Sequence, residues 1–295
     1  MSVLRPTERV HRARPLLGTL VSISIQGTAR SEADRAIDAG FDAIAAIHRL
    51  MSFHESDSDV SRLNRGAPGR AVVVDRNTMQ VIRHALDFSA ASRGCFDVTV
   101  AGRLVEHGLL PRPISTQVPD RRASWRDIEL VGEDRIRFHR PLWIDLGGIA
   151  KGYAVDHALA QMELAEDVQV CINAGGDLRV RGPIPEAIRL RIAPAEAMMP
   201  IVRLQDGSIA SSSGREGSSM RGRRRVGPHV HGRSKATMGL RSFVSVVAQQ
   251  CVVADALTKV VMARGSGSDR VLRDFGATAY ICNARDEWRT VGVGA

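Results

Sequence analysis

Aromatic side chains are scarce in this chain: Phe, Tyr and Trp make up 4% of 295 residues, with only two tyrosines and three tryptophans. A platform of stacked Trp and Tyr rings for nucleic-acid bases is therefore excluded. Cysteine is equally sparse. Cys95, Cys171, Cys251 and Cys282 are widely scattered and show no C-x-x-C spacing. They read as small buried hydrophobes rather than as metal ligands or a disulfide frame. No apolar run approaches the length that spans a bilayer. Met1 to Arg14 is polar and basic, and no apolar signal-peptide core follows it. As given, the sequence points to the cytoplasm; a periplasmic or inner-membrane location requires an upstream leader. No internal repeat is present.

What remains is the balance of a globular enzyme, 44% hydrophobic and 25% charged, in a length that buries a substantial core. The formal net charge of +9 raises the question of a nucleic-acid partner. That charge is uneven. Arg215, Arg221, Arg223, Arg224, Arg225, Arg233, Lys235 and Arg241 crowd one Gly- and Ser-rich segment, 215–241. Such a run reads as a mobile, solvated loop, with a phosphate-attracting lid or a dock for an acidic partner as the functional alternatives. No nucleic-acid partner is expected.

Periodicity predicts a strand from Pro15 to Gln26 and an amphipathic helix from Ser31, as N-cap, to Met51. A short helix ending near Asn64, a strand at Val72 to Val74 and a helix from Asn77 to Arg93 follow. Ile128 to Phe138 reads as a hairpin turning at Gly132-Glu133-Asp134. Strands are expected at Pro141 to Asp145, Val168 to Asn173, Asp177 to Val180, Ile188 to Ile192, Val202 to Leu204, Ser208 to Ser212 and Phe243 to Val247. Helices are expected at Lys151 to Glu163 and Val252 to Arg264, and terminal strands at Ala277 to Cys282 and Trp288 to Val291. Strands mostly follow strands, so the fold class is α+β with mixed, largely antiparallel sheets and packed helices. A Pro-containing connection near 111–117 divides two intimate halves without a true linker.

The densest chemistry lies at Ile144-Asp145-Leu146-Gly147-Gly148-Ile149-Ala150-Lys151-Gly152-Tyr153. Small residues at a turn let backbone N–H groups approach a ligand, a helix start favours anions, and lysine adds a mobile charge for phosphate oxygens. A plain turn with a solvated lysine is the alternative, because the glycine spacing of the familiar phosphate loops is missing. Asp255, Thr258 and Lys259 form a second constellation, three and four residues apart on one helix face. A carboxylate and a hydroxyl there suit magnesium shared with substrate phosphates; an ordinary ion pair of Asp255 with Lys259 is the alternative.

These two segments have company: Pro15 to Thr19, Asp57 to Asn64, Cys95 to Val100, Asn173 to Arg179, Ala210 to Arg215 and Val253 to Lys259. In that order they resemble the ApbE family, the FAD:protein FMN transferases, from about Arg14 to about Gly265, with 266–295 completing the same domain. The resemblance implies the family's α+β fold, T-fold-like in one reading, with a ligand cleft between the halves. It implies FAD as donor, Mg2+ as metal, and an acceptor protein whose Ser or Thr receives FMN while AMP leaves. Leu17, Gly18 and Thr19 would meet the flavin, with His54 near a stacking position. Asn64, Cys95, Phe96 and Asp97 would lie in a segment that binds one end of FAD. Asp145 would bind the flavin, Lys151 would contact FAD, and Gly148 would offer its carbonyl to the metal beside Asp255 and Thr258. Two departures stand out. The family's Asp-Ala-Leu-x-Thr ends here in Lys259, with Thr258 one residue early. Pro228-His229-Val230-His231-Gly232-Arg233 stands where the family has His-Ile-Ile-Asp-Pro-Arg, so either His231 replaces the aspartate or His229 is the retained histidine. Val230 belongs to this cofactor-binding stretch, and His231 is the candidate base, since a neutral imidazole accepts a proton at physiological pH. A non-catalytic FAD-binding protein and an FAD pyrophosphatase giving FMN and AMP are the alternative readings.

Overall fold

In the computed structural model the described residues are 8–294, apart from 67, 116, 191–198, 215–217, 222–223 and 240–241. The chain opens with a hairpin of β1 (Val10–Leu16) and β2 (Thr19–Gln26). The single strand expected from Pro15 to Gln26 is thus split. Leu17 and Gly18 adopt positive φ, 55° and 70°, and reverse the chain in two residues, too short a turn to interrupt the apolar alternation. Helix α1 (Arg30–Met51) buries Ala33, Ile37, Phe41, Ile44, Ile47 and Met51 along one stripe. Its N-cap is Ala29, not Ser31. Next come α2 (Asp59–Arg65), β3 (Ala71–Val73), α3 (Arg76–Ala91) and α4 (Ala101–Glu106). The hairpin of β4 (Ile128–Val131) and β5 (Arg135–Phe138) is followed by α5 (Ala150–Gln161), β6 (Gln169–Ala174) and β7 (Asp177–Arg181). Then follow β8 (Glu186–Arg189), β9 (Ile201–Leu204), β10 (Gly207–Ser213), β11 (Ser219–Arg221) and β12 (Arg224–Val226). The chain ends with β13 (Phe243–Ala248), α6 (Cys251–Arg264), α7 (Asp269–Asp274), β14 (Thr278–Cys282) and β15 (Trp288–Gly292).

Eight strands form one sheet in the order β1-β2-β6-β7-β10-β13-β14-β15, and every pairing in it is antiparallel. The period of two sorts its side chains onto two cores. Val244, Val246 and Ala248 of β13, with Val170, Ile172 and Ala174 of β6, join the large cluster under α1, α5 and α6. Phe243, Leu178, Val180, Ile209 and Cys282 face the other way, with Val202 and Leu204. Strands β8 and β9 form a separate ribbon instead of extending the sheet; the expected strand end at 191–192 lies outside the described residues. Pro141 to Asp145 is not a strand. Its backbone is held by the Asn64 side chain and by the Val98 carbonyl instead of a ladder. Of the basic segment 215–241, the described parts carry β11, β12 and a bridge from Val230 to Thr237. No helix among the described residues is long and apolar enough to cross a membrane.

Candidate active site

The site begins with a clamp. Buried Asn64, near the end of α2, donates from Nδ2 to the Ile144 carbonyl at 2.9 Å and accepts from the Ile144 N–H at 2.8 Å. This fixes the stretch that leads into Asp145, whose Oδ1 accepts from the Gly147 N–H at 3.1 Å. Burial pushes the Asp145 carboxyl up, against the opposing pull of that N–H and of Lys151. Lys151 then sits in the first turn of α5. Gly152 lets α5 lie directly on α6: a Cβ there would stand 2.4 Å from the Cys251 carbonyl oxygen and 2.8 Å from Asp255 Cβ.

That close approach assembles four charged groups. Lys151 Nζ lies 3.0 Å from Asp177 Oδ2 and 3.8 Å from Asp255 Oδ2, and Lys259 Nζ pairs with Asp255 Oδ1. The Gly152 N–H donates to Asp255 Oδ2 at 3.1 Å. Burial acts to neutralise Lys151, but Asp255 and Asp177 outweigh it and hold the ammonium protonated. Burial likewise opposes ionisation of Asp255, yet Lys151 and Lys259 keep its carboxyl below the ordinary value. Asp177 moves the other way, raised by burial and by the neighbouring Asp255.

The two ammoniums line a cleft of about 630 Å³. The same cleft is walled by Leu17 and Gly18 of the first hairpin turn, by His54, Cys95, Phe96, Asp97, Asp145 and Gly148, and by Ser211, Ser212 and Ser213. Its apolar lining comes from Ile47, Met51, Val98, Val100, Leu104, Leu109 and Leu110. Val98 and Val100 fall within the Cys95 to Val100 segment of the resemblance, whereas Ile47, Met51, Leu104, Leu109 and Leu110 carry no site signal in the sequence. The remaining expected residues lie behind the wall. Thr19 packs on Gly175, whose added Cβ would stand 2.4 Å from Thr19 Oγ1. Asn64 reaches the cleft only through Ile144. Asp255 and Thr258 are fully buried beneath Lys259. Asp177, unassigned within the Asn173 to Arg179 motif, proves to be the counter-ion of Lys151.

The two histidines part company. The stretch from Pro228 to Met238 is pinned on residues 94–99: the Gly232 N–H donates to the Cys95 carbonyl at 3.0 Å, and Lys235 Nζ lies 3.4 Å from Asp97 Oδ2. Glycine is required at 232, since a Cβ would meet the Gly94 carbonyl at 2.3 Å. His229 and Val230 line the cleft. His229 Nε2 lies 3.3 Å from the Ser213 carbonyl, which leaves Nδ1 as the lone-pair nitrogen. Burial, then the Lys259 charge, lowers its pKa to about 4, so the ring is neutral at physiological pH. His231 does not line the cleft. Its Nδ1 accepts from the N–H groups of Arg233 and Ser234, at 3.2 and 3.3 Å.

The donor set does not fit the divalent ion that the resemblance implies. Asp255 Oδ1 is occupied by the Lys259 ammonium and Oδ2 by the Gly152 N–H, with Lys151 close by. The Thr258 hydroxyl donates to the Asp255 carbonyl at 2.7 Å and shares a 2.8 Å hydrogen bond with Ser212 Oγ, a position set by its being one residue early on α6. Lys259 also threads past Gly148, where a Cβ would meet its Cε at 3.5 Å. A dication about 4 Å from one ammonium costs about 8 kcal/mol at an effective dielectric of 20. Among the described residues no group of three His, Cys, Asp or Glu side chains converges on a metal position.

Comparison with known proteins places this geometry. An FAD:protein FMN transferase of Vibrio cholerae is 24% identical over 230 residues, 70% of this chain and 67% of its own length. One of Klebsiella pneumoniae is 27% identical over 192 residues, 60% of this chain and 54% of its own length. The alignments thus span roughly half to two thirds of these curated relatives. Among solved structures, the ApbE protein of Thermotoga maritima superposes with a TM-score of 0.84 at 24% identity, covering 96% of this chain and 97% of the other. The flavin transferase ApbE of Vibrio cholerae gives 0.79 at 20% identity, covering 97% of each. These likenesses establish the fold. Residues 17–281, which carry the clamp, the lysines and the histidine stretch, match the ApbE family model, and the chain belongs to that family.

Proposed function

We propose that this chain transfers FMN from FAD to a serine or threonine hydroxyl of an acceptor protein, releasing AMP. One observation carries the reading: a single cleft is lined both by apolar side chains and by a pair of ammoniums, the chemistry that a ring system linked to a diphosphate requires. The apolar lining takes the isoalloxazine ring, and Lys151 takes the diphosphate. Transfer needs in-line placement and neutralised charge more than covalent help. The acceptor oxygen forms a bond to the FMN-side phosphorus, and the bond from that phosphorus to the bridging oxygen breaks. AMP leaves with the electron pair. His229, lining the cleft with a neutral ring, takes the hydroxyl proton, in preference to the His231 favoured by one alignment. The magnesium that the resemblance implies is not carried into this mechanism, given the donor set around Asp255.

The test is purified protein with FAD and a peptide bearing an acceptor threonine, following AMP release and peptide mass together. AMP with an FMN-sized mass gain is the expected result. His229→Asn should slow it by about two orders of magnitude while His231→Asn stays within a few-fold of the parent. AMP without peptide modification would instead identify a pyrophosphatase, and bound but intact FAD a flavin-binding protein.

A further inference from the structure

We propose that Lys259 is a built-in cation: its ammonium neutralises the substrate diphosphate in place of a divalent metal ion. The inference rests on the flavin reading above and deepens it. Lys259 is the one member of its helix-face trio that reaches the cleft wall; Asp255 and Thr258 lie fully buried behind it. Its side chain is only 13% exposed, held by Asp255 Oδ1 and by the Asp255 carbonyl at 3.1 Å, and it passes beside Gly148. A tethered, desolvated ammonium so fixed is preorganised for an anion and needs no ion captured from solution. The same contact closes the site to metal, because the carboxylate that would ligate already carries the lysine. Lys151, anchored by Asp177, stands on the other side of Asp255. A diphosphate in the cleft therefore meets one cation from α5 and one from α6. The Thr258 hydroxyl is engaged instead by the Asp255 carbonyl and by Ser212.

Two measurements without turnover decide the matter. Manganese binding to the flavin-free protein is followed by electron paramagnetic resonance, and FAD binding by quenching of flavin fluorescence, with excess chelator or with magnesium. The parent protein should bind no stoichiometric manganese, and its FAD affinity should change less than about twofold between chelator and magnesium. Lys259→Met should weaken FAD at least about tenfold under both conditions, the size expected for losing one buried charge contact. Lys259→Thr frees Asp255 and should gain one manganese and a magnesium-dependent FAD affinity. Stoichiometric manganese on the parent, or FAD binding that requires magnesium, overturns the role of Lys259 and leaves the flavin reading standing. No FAD binding under either condition overturns both. The parent measurements hold whether or not the variants fold.

Discussion

His229 and Lys151 show how the cleft trades stability for charge placement, and each makes a measurable prediction. The His229 ring titrates near pH 4 in the folded chain, lowered first by burial and then by Lys259; an unfolded imidazole titrates near 6.5. Between those values the unfolded chain holds a proton that the folded chain does not. Stability is therefore complete above about pH 6.5 and falls as the pH drops toward 4, by up to about 3 kcal/mol from this residue. Urea titrations of the parent and of His229→Gln at pH 7 and pH 5 should show a smaller loss in the variant. Equal losses would assign the slope to other groups. Lys151 behaves differently, because it is paired. Lys151→Met leaves Asp177 and Asp255 short of a buried counter-ion and should destabilise by about 3–5 kcal/mol. Adding Asp177→Asn should return part of that loss, a coupling of about 1–3 kcal/mol in a double-mutant cycle. Strict additivity would mean that the pair at 3.0 Å does not interact in solution.

At the scale of elements, the contact between α5 and α6 decides whether the charged groups meet. Gly152→Ala places a methyl against the Cys251 carbonyl and Asp255 Cβ, backbone and short side chain that cannot swing aside. The helices must part, at a cost of about 1–3 kcal/mol from overpacking. FAD affinity should fall with the melting temperature, because Lys151 rides on α5 and Asp255 on α6; a stable variant with unaltered FAD binding would refute the coupling. The sequence announced these helices through their apolar spacing, and it announced the turn at 144–151 through its glycines. It could not announce that Gly152 is a packing residue, since Asp255, one of the residues it packs on, lies 103 positions further along the chain. The two histidines separate for a local reason. Alternation puts His229 and His231 on one face only if the backbone is extended. Here the chain turns back through the Val230–Thr237 bridge, and the His231 N–H donates to the Ala236 carbonyl at 2.8 Å. Most of the apolar wall was hidden for a different reason: Leu104, Leu109 and Leu110 are plain apolar residues in no recognisable motif, and only tertiary placement brings them to the cleft.

The whole molecule is organised around one sheet with a core on each side, and the two cores should be separable by experiment. The larger draws residues from Val10 to Val291, with none from 175–209, and supports the cleft through α1, α5 and α6. The smaller sits beneath the β8–β9 ribbon on the opposite face and contributes no residue to the cleft. On the proposed function, FAD at a hundredfold excess over its dissociation constant should stabilise the folded state by about 2.7 kcal/mol. In a chain of this size that raises the melting temperature by about 5 °C. Val202→Ala, in the smaller core, should lower the melting temperature through a loss of about 1–3 kcal/mol. Its FAD-induced rise should nevertheless match that of the parent, because the face it loosens is not the one that carries the cleft. A reduced rise would show that the sheet transmits disorder from one core to the other. The division of labour between a binding face and a supporting face would then be wrong, even with every side-chain contact in the cleft correctly placed.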